Sequence, residues 1–292
     1  MRRGRDEEGM ILVNVLMFVA IAAGLVLLMI NREELALDRG LRTREAARAL
    51  AIVRGGELSA VVALRRDAEQ SPEVDHVGEA WAKLSENGAP IEGGTFDLAI
   101  ADAEGRFNIN AVRTGEVSST ILFQAIGNEV GLTGEQIVAA IEYVRLKGPV
   151  TDLRPLRMAG VEPKVADRLE RLVTALPGRT TLNLNAASEE MLAMLFRDPV
   201  IAQRLVAIRT RQGYLTAKDL ADQAVSLPWG TSFRSNTFWV RTRATIGGTS
   251  QQAATLIQRS RSDDGTVQVF PVERWRNAAV PPGAPPLPTG KT

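Results

Sequence analysis

An uncharged apolar stretch near the start of the chain limits, more than any other feature, what this sequence can fold into. The 21 residues from Met10 to Ile30 carry no charge, and Asn14 is the one strongly polar residue among them. At about 1.5 Å per residue, a helix of this length matches the roughly 30 Å hydrocarbon core of a bilayer. The sequence therefore predicts a transmembrane helix over residues 10–30.

The charges on either side of this stretch predict its orientation. Arg2, Arg3 and Arg5 precede it, whereas residues 32–34 read Arg-Glu-Glu and have mixed sign. Because Lys and Arg favour the cytoplasmic side, we expect the N-terminus in the cytoplasm. No Ala-x-Ala type cleavage site follows the stretch, so we expect it to stay attached as a membrane anchor. The prediction is a single-pass inner-membrane protein with the bulk of the chain in the periplasm.

Composition argues against several classes of function. The chain has 35 Lys and Arg residues and 34 Asp and Glu residues, so it has no strong overall field that would attract nucleic acid. It has no Cys, and His76 is its single His, which excludes disulfides, thiolate metal sites and histidine clusters. No nucleophile elbow, P-loop or His-Glu-x-x-His motif occurs. We expect no enzymatic activity, cofactor or metal, and we expect protein partners.

A few charged groups could still form a site. Asp102 with Glu104, and Asp263 with Asp264, are carboxylate pairs in Gly-containing turns, and we interpret both pairs as solvated turn residues. Basic residues on the C-terminal strands could face a partner or lie on an exposed strand face: Arg241, Arg243, Arg259 and Arg261.

The rest of the chain divides into a helix, a sheet and a tail. Over residues 31–68 apolar residues recur at three- and four-residue steps, which predicts that the first helix continues, with possible kinks at Gly40 and Gly55–Gly56. Alternating apolar residues predict strands at 95–101, 235–246, 251–259 and 266–275. We expect a small antiparallel sheet in a head formed by residues 69–110 and 236–275. Residues 276–292 contain five Pro and are expected to be a disordered tail.

A short motif occurs twice between these strands. Phe-Asn-Ile-Asn-Ala-Val at 107–112 resembles Leu-Asn-Leu-Asn-Ala-Ala at 182–187, and its amide side chains are suited to turns and helix starts: Asn108, Asn110, Asn183 and Asn185. Each copy precedes a pair of helical segments, one of which begins with the capping-box pattern Thr133-Gly-Glu-Gln. Residues 111–235 are therefore predicted to be two helical units inserted between strands of the sheet.

The N-terminus carries a family resemblance. A charged leader that ends in Gly9, followed by an uncleaved apolar helix, resembles the class III leader of type IV pilins and type II secretion pseudopilins. The resemblance implies cleavage by a prepilin peptidase between Gly9 and Met10, and N-methylation of Met10. Members of this family usually carry Glu at the fifth mature position, which here is Asn14. That Glu is thought to neutralise the terminal amine of the subunit above, so its absence implies a position at the fibre tip.

Over nearly its whole length the chain resembles the minor pseudopilin K family of type II secretion. The shared features are the leader, the span without Glu, Asp102-x-x-Gly105 before the first Asn-x-Asn, the helical units and the C-terminal strands. The resemblance implies an α+β fold. In it, a long transmembrane pilin-like helix packs on a small antiparallel sheet that carries a large inserted all-α domain, similar to sterile-alpha-motif and helix-hairpin-helix domains.

The same resemblance implies a function. Such a protein would sit at the tip of the pseudopilus and initiate its assembly for export of folded proteins across the outer membrane. Its partners would be other minor pseudopilins, the major pseudopilin, prepilin peptidase and the inner membrane. Some members bind calcium in an acidic insertion, but the corresponding stretch here offers one carboxylate, Glu142, where calcium takes six to eight oxygens. We therefore expect no calcium at that position.

A membrane-anchored helix-hairpin-helix DNA-binding protein is the alternative hypothesis, because the second helical unit resembles that module. A DNA-binding hairpin needs a Gly-rich turn whose N–H groups approach a phosphate. The corresponding turn reads Phe196-Arg-Asp-Pro-Val, in which there is no Gly, Pro199 lacks an N–H and Asp198 would repel phosphate. The turn disfavours this alternative, and no nucleic acid is expected as a partner.

Overall fold

A single long helix, α1, dominates the computed structural model, which describes residues 3–71, 73–157, 160–277 and 280–287. The helix runs from Arg3 to Gln70 without interruption. Large apolar side chains between Val13 and Ile30 are exposed, whereas further along Ala49, Val53 and Leu64 are buried. Among the described residues α1 is the one helix long and apolar enough to cross a membrane. Its first half therefore suits a single-pass anchor, and its second half packs on the head.

The other elements follow in chain order. The helices are α2 (Ala80–Lys83), α3 (Val117–Val130), α4 (Gly134–Lys147), α5 (Arg154–Arg157), α6 (Pro163–Leu172), α7 (Glu189–Phe196), α8 (Pro199–Gln212) and α9 (Ala217–Asp222). The strands are β1 (Glu86–Ile91), β2 (Gly94–Asp102), β3 (Phe107–Asn108), β4 (Val173–Thr174), β5 (Leu182–Asn183), β6 (Thr231–Ser232), β7 (Thr237–Ile246), β8 (Thr249–Arg261) and β9 (Val267–Arg276). A 3₁₀ helix covers Ile109–Thr114.

The head is a five-stranded antiparallel sheet in the order β1-β2-β7-β8-β9. It confirms the predicted antiparallel sheet under a long helix. The edge strand β1 was not predicted, because Asn87-Gly88 is a typical turn sequence; in the structure it lies in β1, which pairs with β2 through an irregular register. Trp81, Leu98 and Phe238 pack with Leu64 of α1 in the core between helix and sheet.

The glycines of α1, where the sequence suggested possible kinks, do not interrupt the helix. The helix continues through Gly40 and Gly55–Gly56. Gly56 faces the sheet, and a Cβ atom there would lie 2.6 Å from Cζ of Phe96 and 3.0 Å from Cγ2 of Thr242. Gly55 faces open space, with nothing within 4 Å of a Cβ. Gly56 therefore permits the close approach of α1 to the sheet.

These neighbouring glycines make a matched pair for mutagenesis. Gly56→Ala should lower the free energy of unfolding by about 1–3 kcal/mol, because the added methyl group overpacks the contact with Phe96. Gly55→Ala should raise it by roughly 0.5–1 kcal/mol, because Ala is the better helix former and meets no neighbour. Urea unfolding of the two variants tests this, and equal effects would contradict the close approach at Gly56.

The helical insertion lies between β2 and β7 and consists of two units. In each unit a two-residue strand that contains an Asn-x-Asn residue pairs in parallel with a second short strand, β3 with β4 and β5 with β6. The predicted capping box on α4 is present, with Thr133 and Gln136 each accepting from the other's N–H. Buried residues from both units, such as Phe123 and Leu205, belong to one hydrophobic core.

Part of the predicted disordered tail is packed on the sheet. Ala284 and Leu287 are each only 9% exposed. Arg106 donates to the carbonyl of Gly283 at 3.2 Å, and Arg241 donates to the carbonyl of Pro285 at 3.1 Å. Ala284 packs with Trp239, so the segment covers an apolar area on the sheet face opposite α1. The expectation of disorder is therefore wrong for residues 280–287, and residues 278–279 and 288–292 lie outside the described part.

Candidate functional site

The two Asn-x-Asn turns use their second Asn in the same way. Asn110 accepts from the N–H of Val150 at 2.9 Å and donates to the carbonyl of Val150 at 2.8 Å. Asn185 accepts from the N–H of Leu215 at 2.6 Å and donates to its carbonyl at 3.2 Å. Each side-chain amide therefore bonds to both the N–H and the carbonyl of one residue, as a neighbouring strand can, and fixes the loop that leads into the next short helix.

The first Asn of each turn has a different role in the two units. Asn108 bonds within its own unit, to the N–H and the carbonyl of Leu176 and to the carbonyl of Gly178. Asn183 instead reaches the head, where its amide nitrogen lies 2.8 Å from Oδ2 of Asp102 and 3.0 Å from both the carbonyl of Asp75 and Oγ of Ser235. Asn183 thus ties the insertion to the head.

Asn183 belongs to a cluster that we call the buried polar joint. Its members come from α1, the loop before α2, the end of β2, the second Asn-x-Asn turn, the loop before β7, and β8: Asp67, Asp75, Glu79, Asp102, Glu104, Asn183, Ser235 and Arg259. Arg259 is 4% exposed and lies at the centre. Its guanidinium pairs with Asp67 at 3.1 Å, pairs with Asp75, and donates to the carbonyl of Ser235 at 2.8 Å.

The joint corrects two sequence-based expectations, those for the Asp102–Glu104 pair and for Arg259. Asp102 and Glu104 are not solvated turn residues, because Glu104 is 1% exposed and Asp102 accepts from Ser235 at 2.6 Å. Arg259 does not face a partner, since it is buried among carboxylates. Arg243 pairs with Asp97 at 2.8 Å. The Asp263 and Asp264 side chains are exposed in the β8–β9 turn, as expected.

Burial sets the protonation of the joint. Desolvation raises the pKa of Glu104 to about 8 and that of Asp102 to about 6. Burial, together with repulsion by Glu79, raises the pKa of Asp67 to about 7. Because the carboxylates outnumber the single buried guanidinium, we expect part of the cluster to hold protons near neutral pH.

This arrangement predicts how stability depends on pH. Below a pH of about 4 these carboxyls are protonated in both the folded and the unfolded chain, but between about pH 5 and 8 the folded chain keeps protons that the unfolded chain releases. The free energy of unfolding should therefore fall as pH rises, by about 1.4 kcal/mol per pH unit for each such proton. Glu104→Gln should flatten this dependence of the free energy of unfolding on pH, whereas Glu135→Gln, at an exposed residue, should not. Urea unfolding from pH 5 to 8 measures the dependence. A steeper slope in Glu104→Gln would contradict the assignment.

Three carboxylates of the joint, Asp67, Asp75 and Glu79, come within 4.8 Å of one another. Two of them already pair with Arg259, and Glu79 accepts from the indole N–H of Trp81 at 2.9 Å. Ser235 has no exposed surface, so its hydroxyl cannot meet a substrate. The joint is therefore suited to holding parts of the head together and, through Asn183, to fixing the insertion against the head.

The other residues singled out in the sequence lie elsewhere. The bond between Gly9 and Met10 lies within α1, and Asn14 is exposed on the same helix. Cleavage, methylation and the role of Asn14 stay predictions. In the hairpin turn, Asp198 accepts from the N–H groups of Val200 and Ile201 at 2.8 and 3.2 Å. A carboxylate thus occupies the place where a DNA-binding turn would hold a phosphate, which further disfavours the DNA-binding alternative.

Comparisons with known proteins agree with this architecture. No protein-family model matches the chain. It is 28% identical to type II secretion system protein K of Pseudomonas aeruginosa over 92% of this chain and 93% of that protein. It is 25% identical to the Klebsiella pneumoniae protein of the same name over 90% of this chain and 95% of that protein.

A solved structure shares the fold. It is the GspK-GspI-GspJ complex of the enterotoxigenic Escherichia coli type II secretion system, one chain of which aligns with a TM-score of 0.62 and 17% identity. The alignment covers 82% of this chain and all of that chain. The two relatives matched almost end to end make the chain similar to type II secretion system protein K, and together with the shared fold they indicate a minor pseudopilin of type II secretion.

Proposed function

We propose that this chain caps the tip of a type II secretion pseudopilus and initiates its assembly, from an anchor in the inner membrane and with its head and insertion in the periplasm. The observation that carries this proposal is the division of α1. Residues 13–30 are largely apolar and exposed, and the second half of the helix is packed on the head. An exposed apolar helix suits packing in the membrane and then against the helices of other subunits.

The bulk of the insertion and the residue at position 14 support the tip position. The helical units occupy residues 111–235 beside the head, and such a bulk would hinder lateral packing within a fibre body. Asn14 cannot supply the carboxylate that would neutralise a terminal amine above it. The complex that contains GspK also contains GspI and GspJ, so we propose the corresponding minor pseudopilins as partners here. The major pseudopilin and prepilin peptidase complete the proposed set.

The intact mass of the protein extracted from its own membranes tests the proposed processing. We expect a chain that begins at Met10 and is heavier by one methyl group. Gly9→Val should leave residues 1–9 attached and abolish secretion. A wild-type chain that retains residues 1–9 would overturn the proposal and indicate an ordinary signal anchor.

Asn14→Glu tests the position in the fibre. At a tip no subunit lies above, so the new carboxylate has no amine to meet, and we expect secretion within about twofold of wild type. Asn14→Gln, which keeps a neutral amide, is the matched control. Secretion that depends strongly on the Glu introduced at position 14 would contradict the tip position. Incorporation of the Asn14→Glu variant along the length of the pseudopilus would contradict it too.

A further inference from the structure

The two helical units meet at an open cavity that the function proposed above does not use. The cavity has a volume of about 640 Å³, within the range of pockets that hold small ligands or a few side chains. We call it the inter-unit groove. It lies between α3 of the first unit, the end of α7, and the loop before β6; its principal lining residues are Val117, Ser119, Ile121, Leu195, Arg197 and Trp229.

One part of the groove is apolar and uncovered. Trp229 is 55% exposed, Ile121 45% and Val117 70%. An exposed Trp that stands beside aliphatic residues in a concave surface is typical of a binding site, because Trp supplies a large contact area with few rotamers to fix. Trp81 and Trp239, by contrast, are fully buried.

The other part of the groove has groups that suit a carboxylate. Helix α3 begins after Glu116, which makes no capping hydrogen bond, so the first N–H groups of the helix have no side-chain acceptor there. Ser119 lines the groove and is 3% exposed, and in the described part of the chain its hydroxyl has no hydrogen-bond partner. Arg197 is exposed at the rim, and within the described residues it has no ion-pair partner.

A basic depression of about 550 Å³ continues from the groove, with Arg179 and Asn236 lining both. It also contains Arg234, whose Nε is buried and has no hydrogen-bond partner among the described residues. The carboxylates nearby are Glu116, which pairs with Arg179 at 2.8 Å, and the buried Glu104. The surface around the groove is therefore predominantly positive.

We propose that the inter-unit groove binds an extended segment of another protein in which apolar side chains stand next to carboxylates. The apolar side chains would pack on Trp229 and Ile121, and a carboxylate would accept from the α3 terminus, Ser119 and Arg197. Charge complementarity selects this occupant, because an uncharged apolar segment would leave the arginines and the free N–H groups unmatched. The binding does not depend on a position at the fibre tip.

A labelled peptide tests the proposal on the full chain in detergent micelles. The probe is a ten-residue fluorescein peptide of alternating Leu and Asp, and matched peptides carry Asn or Lys in place of Asp. Fluorescence anisotropy, with empty micelles as the blank, should show saturable binding of the Asp peptide and no saturable binding of the Asn and Lys peptides. Trp229→Ala and Arg197→Glu should each weaken it by at least about tenfold. Leu146→Ala, at an exposed apolar residue of α4, and Arg204→Glu, at an exposed residue of α8, should change it less than about twofold.

Each other outcome overturns the proposal. If the Asn peptide bound as tightly as the Asp peptide, charge would not contribute to binding. If the two control variants lost as much affinity as Trp229→Ala and Arg197→Glu, the peptide would bind outside the groove. If, without any peptide, Trp229 became better protected from iodide quenching as the protein concentration rose, the occupant of the groove would be a second copy of this chain. Ser119→Ala removes only one hydroxyl oxygen, so it keeps the test valid if Trp229→Ala fails to fold. We expect it to weaken binding of the Asp peptide by at least about threefold.

Discussion

Arg259→Met will lower the free energy of unfolding by about 3–5 kcal/mol, which is the usual cost of removing one partner from a buried ion pair. The guanidinium is the positive charge at the centre of the joint and bonds to Asp67, Asp75 and the carbonyl of Ser235. Met fills similar space but leaves the two carboxylates without a counter-charge. Urea unfolding of the detergent-solubilised protein at pH 7 measures the loss.

A second arginine on the neighbouring strand provides the control. Arg274 also pairs with a carboxylate, Glu57, at 2.7 Å, but its side chain is 48% exposed. Arg274→Met should therefore cost less than about 1 kcal/mol. Adding Asp67→Asn to Arg259→Met should restore part of the loss, because it removes one uncompensated charge. Equal losses in Arg259→Met and Arg274→Met would show that the joint contributes no more than a surface pair.

The joint also explains how a small sheet accommodates a large insertion. The chain leaves the sheet at Asp102 and returns at Thr237, and these ends are adjacent, since Asp102 pairs with Phe238 and Ala103 donates to the carbonyl of Thr237 at 3.0 Å. An insertion whose two ends lie side by side does not disturb the strands on either side. The buried polar joint lies at this exit point, where it fixes the insertion against the head.

The elements that could be predicted from the sequence are those whose signals are local. The apolar run of α1, the capping box at Thr133 and the alternation along β7 each depend on residues within a few positions of one another. The recurrence of Asn-x-Asn indicated two similar units, and each turn uses its second Asn in the same way. Patterns of this kind can be recognised in a sequence because residues on one face of a helix or strand recur at a fixed spacing and share the same degree of burial.

The joint could not be predicted in the same way, because its bonds join distant parts of the chain. Asp102 depends on Ser235, 133 positions away, and Asp67 depends on Arg259, 192 positions away. One signal was present in the sequence. Arg259 is in phase with the inward-facing Thr255 and Ile257 of β8, and a charged residue at such a position requires a buried partner. The identity of that partner, however, follows only from the fold.

The tail misled sequence analysis for a different reason. Its proline content predicts a lack of regular secondary structure, and residues 280–287 indeed form no helix or strand. An extended chain can still be ordered when its carbonyls meet donors, as those of Gly283 and Pro285 meet Arg106 and Arg241. Absence of secondary structure was therefore mistaken for absence of tertiary contacts.

Asn183→Ala should show most directly that the joint couples the insertion to the head. Asn183 is fully buried, and its amide donates toward the carboxylate of Asp102 and the carbonyl of Asp75. Removing the amide takes the donor from the buried carbonyl of Asp75, one of several donors from Asp102, and the acceptor from the N–H of Asn185, at a cost of about 2–4 kcal/mol in the free energy of unfolding. Amide hydrogen exchange locates the damage: the N–H groups of Glu104 and Ser235, which donate to Asp102 and Asp75, should exchange faster.

Asn108→Ala is the matched control, because Asn108 holds the same place in the other turn but bonds only within its own unit. It should speed exchange at Leu176, whose N–H donates to Asn108 at 3.1 Å, and leave Glu104 and Ser235 protected. Asn183→Asp adds a carboxylate beside Asp102, so like-charge repulsion should make it more destabilising at pH 8 than at pH 5. If Asn183→Ala left exchange at Glu104 and Ser235 unchanged, the head and the insertion would have to be coupled through their apolar contacts instead.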